Sequence, residues 1–250
     1  MNDREHNIRN QFSKRAKSFD TAANWMLNDR LINAHLVAAG SKPNGHSRSL
    51  DLCCGTGILG KAFLARGWEV NGVDLTKEMA DEAGRHFKTI VSNIEKLPYE
   101  DNSFDVAYLR QSYMLVDGPK ALNEIKRILR PGGIFVFSQS VAFSDEEDGP
   151  QYEKIQTARH INMVKYYKTG DLVSELEVNG FKVEHKDFLQ IPESVDCWLN
   201  NALALSSESK EKIFNLIANA PENYKKIRNV RFENGKLYED WNWVIITART

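Results

Sequence analysis

Two acidic residues, each at the end of a short apolar run, are the side chains in this sequence with the clearest chemical role. The run that contains Asp51 leads into the glycine-rich segment Gly55-Thr56-Gly57-Ile58-Leu59-Gly60, and a helix-compatible stretch follows at once. This order is typical of a strand, a turn and a helix. Glycine is needed where the backbone takes a positive φ or lies against a ligand, and the N–H groups at a helix start favour a polar or negative group. The segment therefore predicts a loop that binds a nucleotide-like cofactor.

The loop alone leaves the identity of that cofactor open, because its six residues satisfy the dinucleotide pattern GxGxxG. Asp51 lies four residues before Gly55, at the carboxyl end of the predicted strand. A dinucleotide needs no carboxylate there, whereas a cofactor with an ammonium group does. Asp74 ends the next predicted strand, where an acid can accept hydrogen bonds from both hydroxyls of a ribose.

Composition limits the classes of function. The 250 residues are 42% hydrophobic, enough for one large domain with a sizeable core. The 33 basic and 34 acidic residues nearly cancel, so no general attraction to nucleic acid or to an anionic membrane is expected. The three cysteines form neither a CxxC pair nor a ligand cluster, which predicts reduced thiols, a cytoplasmic protein and no metal site. We expect no secretory leader and no membrane span.

Hydrophobic spacing divides the chain into two regions. Residues 1–45 are predicted to form a helical lid of two helices, broken near Asp20-Thr21 with Asp20 as an N-cap. Residues 46–250 are predicted to form an α/β domain, because strands and helices alternate from Ser49 onward as in a doubly wound, mostly parallel sheet. Residues 141–168 and 192–226 are expected to cap the substrate side. The predicted strands begin at Ser49 and then cover 68–74, 89–91, 104–109, 134–138, 181–188 and 241–248, with a hairpin at Asn234-Gly235 before the last.

Four motifs in this order resemble those of the class I S-adenosylmethionine-dependent methyltransferases. The resemblance covers about residues 49–138, and the segment 12–20 is similar to the start of quinone-biosynthesis and biotin-pathway methyltransferases. It implies a Rossmann-like sheet of seven strands whose last strand is antiparallel. Cys53 stands where the family often has glycine. A cysteine is tolerated at this position if its φ is negative. The motifs are Asp51-Leu52-Cys53-Cys54-Gly55-Thr56-Gly57, Gly72-Val73-Asp74-Leu75, Leu97-Pro98-Tyr99 with Ser103-Phe104-Asp105, and Glu124-Ile125-Lys126-Arg127-Ile128-Leu129-Arg130-Pro131-Gly132-Gly133.

The resemblance also implies roles for single residues toward S-adenosylmethionine and its product S-adenosylhomocysteine. Gly55 and Gly57 would pass beneath the methionine part, Asp51 would orient its ammonium group and Asp74 would hold the ribose hydroxyls. Phe19 would cover the cofactor, and Arg110 would lie beside the methionine end. The cofactor-binding set comprises Phe19, Asp51, Cys53, Gly55, Thr56, Gly57, Asp74, Leu75, Met79, Asn93, Ile94, Glu95 and Arg110.

Methyl transfer requires little chemistry from the protein, since a sulfonium carbon is already electrophilic. The protein must hold the acceptor in line with the sulfur–methyl bond and exclude water. His160 is the candidate general base for an acceptor that must lose a proton. Tyr113, Tyr166, Tyr167 and Trp198 are the candidates that line the acceptor pocket.

The expected acceptor is a small organic molecule, because no basic, aromatic-interleaved tract predicts nucleic acid as the substrate. Whether oxygen, nitrogen or carbon receives the methyl group stays open, as does the oligomeric state.

Two alternative functions also stay open. One is an NAD-dependent oxidoreductase that uses residues 55–60 and Asp74, which would leave Phe104-Asp105 and Pro131-Gly132-Gly133 unexplained. The other is a non-catalytic sensor or assembly protein that binds S-adenosylmethionine.

Overall fold

The computed structural model of the protein describes residues 3–40 and 47–250, and in that part a sheet of eight strands separates two layers of helices. The strands lie in the order β3-β2-β1-β4-β5-β8-β6, and the short β7 pairs with β8. β1 to β5 run parallel, whereas β8 is antiparallel to both β5 and β6. The strands are β1 Arg48–Leu52, β2 Glu69–Asp74, β3 Lys88–Val91, β4 Phe104–Arg110, β5 Leu129–Val141, β6 Lys182–Ser194, β7 Arg231–Glu233 and β8 Lys236–Arg249.

The predicted doubly wound sheet with an antiparallel last strand is confirmed, and the predicted hairpin supplies the eighth strand. Asn234 and Gly235 both have positive φ, at 50° and 76°, as a two-residue hairpin turn requires. β5 and β6 are longer than predicted because β8 pairs with them over most of their length. The predicted turn Pro131-Gly132-Gly133 is an irregularity inside β5, where the pairing with β4 shifts register.

Helices pack on both faces of the sheet, so its central strands are buried on both sides. Successive residues of β4 alternate between two cores: Tyr108 stacks on Phe63 at 4.0 Å on one face, and Leu109 packs on the other. The helices are α1 Asp3–Ser13, α2 Asp29–Ala38, α3 Ile58–Ala65, α4 Lys77–Ala83, α5 Gly118–Ile128, α6 Gly149–Arg159, α7 Thr169–Val178, α8 Val195–Asn200, α9 Ser207–Ala218 and α10 Glu222–Ile227, with short 3₁₀ helices at Ala16–Thr21 and Tyr113–Leu115.

The N-terminal region differs from the prediction. Its two α-helices are separated by residues 14–28, and the N-cap of α2 is Asn28, whose side chain accepts a hydrogen bond from the Leu31 N–H at 3.1 Å. Asp20 is not a helix cap, because its carboxylate accepts a hydrogen bond from the Thr56 hydroxyl in the glycine-rich loop. The boundary predicted near residue 45 falls in residues 41–46, outside the described residues.

Buried carboxylates fix the N-terminal and cap segments to the sheet. Glu193, at the end of β6, is fully buried and accepts hydrogen bonds from the backbone N–H groups of Asn24 at 2.9 Å and Trp25 at 3.2 Å. Asp148, just before α6, pairs at 2.7 Å with Arg228, which follows α10. These contacts place both segments over the carboxyl ends of the parallel strands. Within residues 3–40 and 47–250, no helix is long and apolar enough to cross a bilayer, and no cluster of three potential metal ligands occurs.

Candidate active site

Two adjoining cavities lie at the carboxyl ends of β1, β2 and β4. The first, of about 90 Å³, lies around Asp51 and Arg110, and the second, of about 80 Å³, lies around Asp74. The cavities share the lining residues Phe12, Phe19, Cys53, Ser112 and Leu115, so together they form one elongated site.

The glycine-rich loop forms the floor of this site. Gly55 and Gly57 have φ of +54° and +82°, in the left-handed region that favours glycine. A Cβ on Gly57 would lie 2.9 Å from the Phe87 ring, and one on Gly55 would lie 3.1 Å from the Phe19 ring. The loop can therefore keep this conformation beside the two rings only with glycine at these positions.

Cys53 has a φ of +51°. A cysteine was expected to be tolerated at this position only with a negative φ, so that expectation is wrong. The backbone turns there as it leaves β1, and the next N–H, that of Cys54, donates to the Val73 carbonyl at 2.9 Å. Gln111, just after β4, also has a positive φ of 54°. Such non-glycine residues are strained and cluster at functional sites. Burial, together with the nearby carboxylates, raises the pKa of the Cys53 thiol, so the thiol is not an activated nucleophile.

Asp51 presents its carboxyl group to the first cavity with little solvation. The residue is 4% exposed, and Oδ2 accepts a hydrogen bond from the Gly60 N–H at 2.8 Å. Burial raises the pKa of Asp51 to about 8, although the Gly60 hydrogen bond and the Arg110 charge oppose this shift. A cationic group beside Asp51 would therefore be strongly favoured.

Arg110, at the end of β4, lies on the same side of the first cavity. It donates to the Met26 carbonyl at 3.1 Å and stacks on the Trp25 ring, 5.1 Å from the ring centre. Burial lowers the pKa of its guanidinium to about 10, and the Asp51 charge opposes that shift. Arg110 is still a cation at neutral pH, and the first cavity therefore offers a carboxyl group and a positive charge to a zwitterionic ligand group.

Asp74 bridges the glycine-rich loop and the start of α4. Its Oδ2 accepts from the Gly55 N–H at 2.9 Å and its Oδ1 from the Thr76 N–H at 2.8 Å. Burial raises the pKa of Asp74, and the backbone hydrogen bonds oppose the rise. Each carboxylate oxygen keeps a lone pair, so Asp74 can accept hydrogen bonds from a diol in the second cavity.

Helix α1 covers the second cavity. Arg4 pairs with Glu95 at 2.5 Å, and the Asn93 side-chain amide donates to Glu5 at 2.8 Å. Ile8 and Phe12 of the same helix line the cavity below these contacts. The helix therefore excludes water from one half of the elongated site.

The structure brings the predicted cofactor residues together. Phe19 and Cys53 line both cavities, whereas Gly57 is not among the residues that line either of them. Among the other predicted residues, the first cavity is lined by Asp51, Thr56 and Arg110, and the second by Gly55, Asp74, Leu75, Met79, Asn93, Ile94 and Glu95.

The predicted acceptor-side residues are divided. Trp198 and His160 line the first cavity, whereas Tyr113, Tyr166 and Tyr167 do not. Tyr113 is turned into the core by the 3₁₀ helix it begins, and its hydroxyl donates to Glu175 at 2.6 Å. Tyr166 and Tyr167 line a separate small cavity. These three tyrosines therefore do not line the first cavity, and their predicted role toward an acceptor stays a prediction.

His160, the predicted general base, caps the C-terminus of α6. Its Nε2 atom is buried and has no hydrogen-bond partner among the described residues. Burial, followed by the charges of Arg159 and Arg15, places its pKa well below the ordinary histidine value. The imidazole is therefore neutral at physiological pH and, as it stands, a weak base.

Comparison with known proteins identifies the family. Residues 50–137 match the family model described as a methyltransferase domain. Malonyl-[acyl-carrier protein] O-methyltransferase of Serratia marcescens is 32% identical over 164 residues, which cover 62% of this chain and 61% of that protein. Residues 50–137 are therefore a methyltransferase domain. These matches confirm the predicted resemblance to the class I S-adenosylmethionine-dependent methyltransferases.

Two solved structures show the class I methyltransferase fold over most of the chain. A methyltransferase-like protein of Bacillus halodurans superposes with a TM-score of 0.76 at 20% identity, covering 87% of this chain and 97% of its own. Geranyl diphosphate C-methyltransferase of Streptomyces coelicolor, solved with S-adenosyl-L-homocysteine, superposes with a TM-score of 0.62 at 16% identity, covering 88% of this chain and 75% of its own. The chain spans about three fifths of the length of the Serratia relative.

Sequence reasoning missed several residues of this methyltransferase site. Arg15 and Arg159 line the first cavity, as do Gln11 and Asn162, whose side chains bond to each other at 2.7 Å. Arg15 lies inside the motif 12–20, and Arg159 directly precedes the predicted base. Each of these two arginines therefore adjoins a feature that the sequence analysis had already identified.

Proposed function

We propose that the protein transfers the methyl group of S-adenosylmethionine to a small organic acceptor. One observation carries this proposal: each of the two adjoining cavities is lined by a buried acid, Asp74 in one and Asp51 in the other. One acid in each half suits a ligand that carries a ribose diol in one half and an ammonium group in the other.

The residues that line the two cavities fit the two halves of the cofactor. Asp74 would hold the ribose hydroxyls, while Leu75 and Met79 offer an apolar surface for a base and Asn93 and Glu95 offer polar edges. Near Asp51, Arg110 complements the carboxylate of an amino acid. The bound cofactor supplies the electrophilic methyl group.

The residues of the chain bind, orient and exclude water. The acceptor enters the first cavity, where the shared rings Phe12 and Phe19 separate the two halves and the aromatic residues Trp25 and Trp198 contribute faces that favour a cationic centre. Since the sulfonium is already activated, alignment in a water-excluded cavity provides most of the acceleration. The acceptor atom is oxygen, nitrogen or carbon.

The environment of the site supports a small acceptor in the cytoplasm. The N-terminal segment lines both cavities and residues of the cap segments line the first, an arrangement that favours a small acceptor. Cys53, Cys54 and Cys197 are unpaired thiols, as is usual in a reducing compartment. We therefore include a small-molecule acceptor and a cytoplasmic location in the proposal.

Calorimetric titration with S-adenosylmethionine, S-adenosylhomocysteine and NADH tests the first step. We expect the two sulfur compounds to bind and NADH not to bind. Asp74→Asn should weaken binding about tenfold, because a charge-assisted hydrogen bond contributes roughly 1.5 to 3 kcal/mol. Asp81→Asn on the exposed side of α4 is the matched control and should not change the affinity.

Mass spectrometry of a small-acceptor library with labelled methyl donor tests the second step. A mass gain of one methyl group in any acceptor supports the proposal. Tight cofactor binding with no transfer across the library would favour the sensor alternative, and absence of binding would overturn the assignment of the site.

A further inference from the structure

Two arginines face the first cavity from different segments of the chain. Arg15 lies between α1 and the first 3₁₀ helix, and Arg159 is the last residue of α6. They are only 8% and 2% exposed. The Arg15 guanidinium lies about 5 Å from the ring centres of Phe12 and Phe19, at 5.2 and 5.3 Å, and that of Arg159 lies 5.1 Å from Trp198.

Neither guanidinium has a counter-ion. Within residues 3–40 and 47–250, no carboxylate lies within 4.0 Å of Arg15 or Arg159, and the buried Nε of each has no hydrogen-bond partner. Arg159 donates only to the Trp198 carbonyl, at 3.3 Å. By contrast, the fully buried Arg228 has a carboxylate, Asp148, at 2.7 Å and also donates to the Val141 carbonyl at 3.0 Å. The unpaired guanidinium groups of Arg15 and Arg159 therefore differ from that of Arg228.

Burial lowers the pKa of Arg15 to about 10 and that of Arg159 to about 9, and the positive charge of Arg15 adds to the second shift. Both side chains are still cations at neutral pH. Two like charges in a cavity with aromatic walls are costly unless an anion neutralises them. The planar guanidinium fork suits a carboxylate or a phosphate, with which it forms paired hydrogen bonds.

We propose that Arg15 and Arg159 together bind an anionic oxygen group, a carboxylate or a phosphate, of the methyl acceptor. This inference rests on the proposed function, because it assigns the first cavity to the acceptor. Arg110 lies beside Asp51 and serves the methionine end of the cofactor, so the pair at the cap side is available for a second ligand. The acceptor is thus an organic acid or an organic phosphate.

The arginine pair also controls His160. The imidazole has its pKa lowered by burial and then by the charges of Arg159 and Arg15, and its Nε2 has no partner. An anion on the pair removes the repulsion between these charges and a protonated imidazole. Binding of the acceptor therefore offsets the part of the lowered pKa of His160 that comes from the two arginines, while burial, the larger cause, still lowers it.

The test uses the full chain saturated with S-adenosylhomocysteine, in buffer of low chloride, and titrates it with benzoate, phenyl phosphate and benzamide. We expect at least one of the two anions to bind at least tenfold more tightly than benzamide, and the better of the two distinguishes a carboxylate site from a phosphate site. Arg15→Gln and Arg159→Gln should each weaken anion binding at least tenfold and leave the affinity for S-adenosylhomocysteine within twofold. Arg66→Gln, at an exposed position after α3, is the matched control and should change neither.

The other possible results of these titrations would contradict either the inference or the proposed function. Equal binding of benzamide, no binding of any probe, or unchanged anion binding in the variants would overturn the inference and leave the proposed function intact. A tenfold loss of affinity for S-adenosylhomocysteine in either variant would assign the pair to the cofactor carboxylate and would also overturn it. Failure of the parent protein to bind S-adenosylhomocysteine would instead remove the proposed function.

A second variant separates ligand binding from a structural role. Arg159→Met removes the charge but keeps the length of the side chain. Because an unpaired buried cation costs stability, we expect the melting temperature to stay equal or to rise by a few degrees. A fall of more than about 4 °C would show that Arg159 supports the fold, since a loss of roughly 1 kcal/mol lowers the melting temperature by about 2 to 4 °C in a domain of this size, and would contradict the assignment.

Discussion

Asp51 and Asp74 lie at the ends of adjacent strands, but their surroundings give them different protonation behaviour. Both oxygens of Asp74 accept a backbone N–H, which ties its charge to the loop and to α4. Asp51 accepts a single N–H, from Gly60, so desolvation dominates and raises its pKa to about 8. Before cofactor binds, Asp51 is therefore mostly protonated at pH 7.

Cofactor binding should release a proton from Asp51. The ammonium group favours the ionised carboxylate, so at pH 7 we expect roughly 0.8 proton released for each cofactor bound, after a small uptake by the amino group. Calorimetry in two buffers of different ionisation enthalpy measures this number. Asp51→Asn should release none, and Asp74→Asn should still release it. Equal proton release in the parent and in Asp51→Asn would contradict the role of this acid.

Replacing Cys53 with glycine should relieve strain in the loop. The φ of Cys53 is +51°, which costs about 1 kcal/mol or more for a residue with a Cβ. Glycine adds entropy to the unfolded chain, so we expect Cys53→Gly to change the free energy of unfolding by between about 0 and +1 kcal/mol. Cys54→Gly, at a neighbouring buried position without positive φ, is the control and should destabilise. Denaturant titration decides, and a clear loss of stability in Cys53→Gly would contradict the strain argument.

At the scale of elements, α1 acts as a cover fastened by two polar contacts. Arg4 pairs with Glu95, whose Oε1 also accepts the Asp117 N–H at 2.9 Å, and Asn93 reaches Glu5. The partners come from the loop after β3, at the polar edge of the second cavity. Asn93 and Glu95, which are predicted to meet the cofactor, therefore also hold α1 in place.

Removing the Arg4 contact should speed the release of cofactor. The pair is partly buried, so its loss costs about 1 kcal/mol, which corresponds to about fivefold faster dissociation. Stopped-flow fluorescence with S-adenosylhomocysteine and Arg4→Gln measures the rate. Lys77→Gln removes an exposed pair with Asp81 on α4 and is the control with no expected effect. Equal dissociation rates in Arg4→Gln and in the parent would show that α1 does not limit release.

An element can be predicted from the sequence when a local pattern determines it, and not when contacts with distant residues determine it. The strand ends at Asp51 and Asp74 were correctly placed, because an apolar run that stops at an acid is a local pattern. The break after α1 was misplaced, since Asp20 and Asn28 are equally good caps and only the contact of Asp20 with Thr56 decides between them. The directions of Tyr113, Tyr166 and Tyr167 depend on turns, and the missing counter-ions of Arg15 and Arg159 depend on long-range packing, so neither could be predicted from the sequence.

At the scale of the whole molecule, buried ionisable groups make stability depend on pH in two opposite ways. Burial raises the pKa of Asp51 to about 8 and that of Glu193 to about 7, so the folded state holds protons that the unfolded state has lost above about pH 4.5. The stabilising effect of these two groups is complete below that pH and is lost as pH rises through 7 and 8. His35, buried against Ser138, has its pKa lowered to about 3 and acts oppositely, since stability is lost as pH falls below about 6.5.

The sum of these three groups predicts that, without cofactor, the free energy of unfolding falls as pH rises from about 4.5 to 8, and that cofactor reduces the fall at the alkaline end. From pH 6 to 8 we expect a fall of about 3 kcal/mol, since each proton that only the folded state holds contributes 1.36 kcal/mol for each pH unit. Guanidinium titrations at pH 5 to 9, with and without S-adenosylhomocysteine, measure the curve. The ligand's ammonium group should compensate ionised Asp51, so the stabilisation by ligand should grow toward pH 8. Asp51→Asn should flatten the alkaline decline, and a parent protein whose stability rises steadily to pH 8 would contradict the burial of these acids.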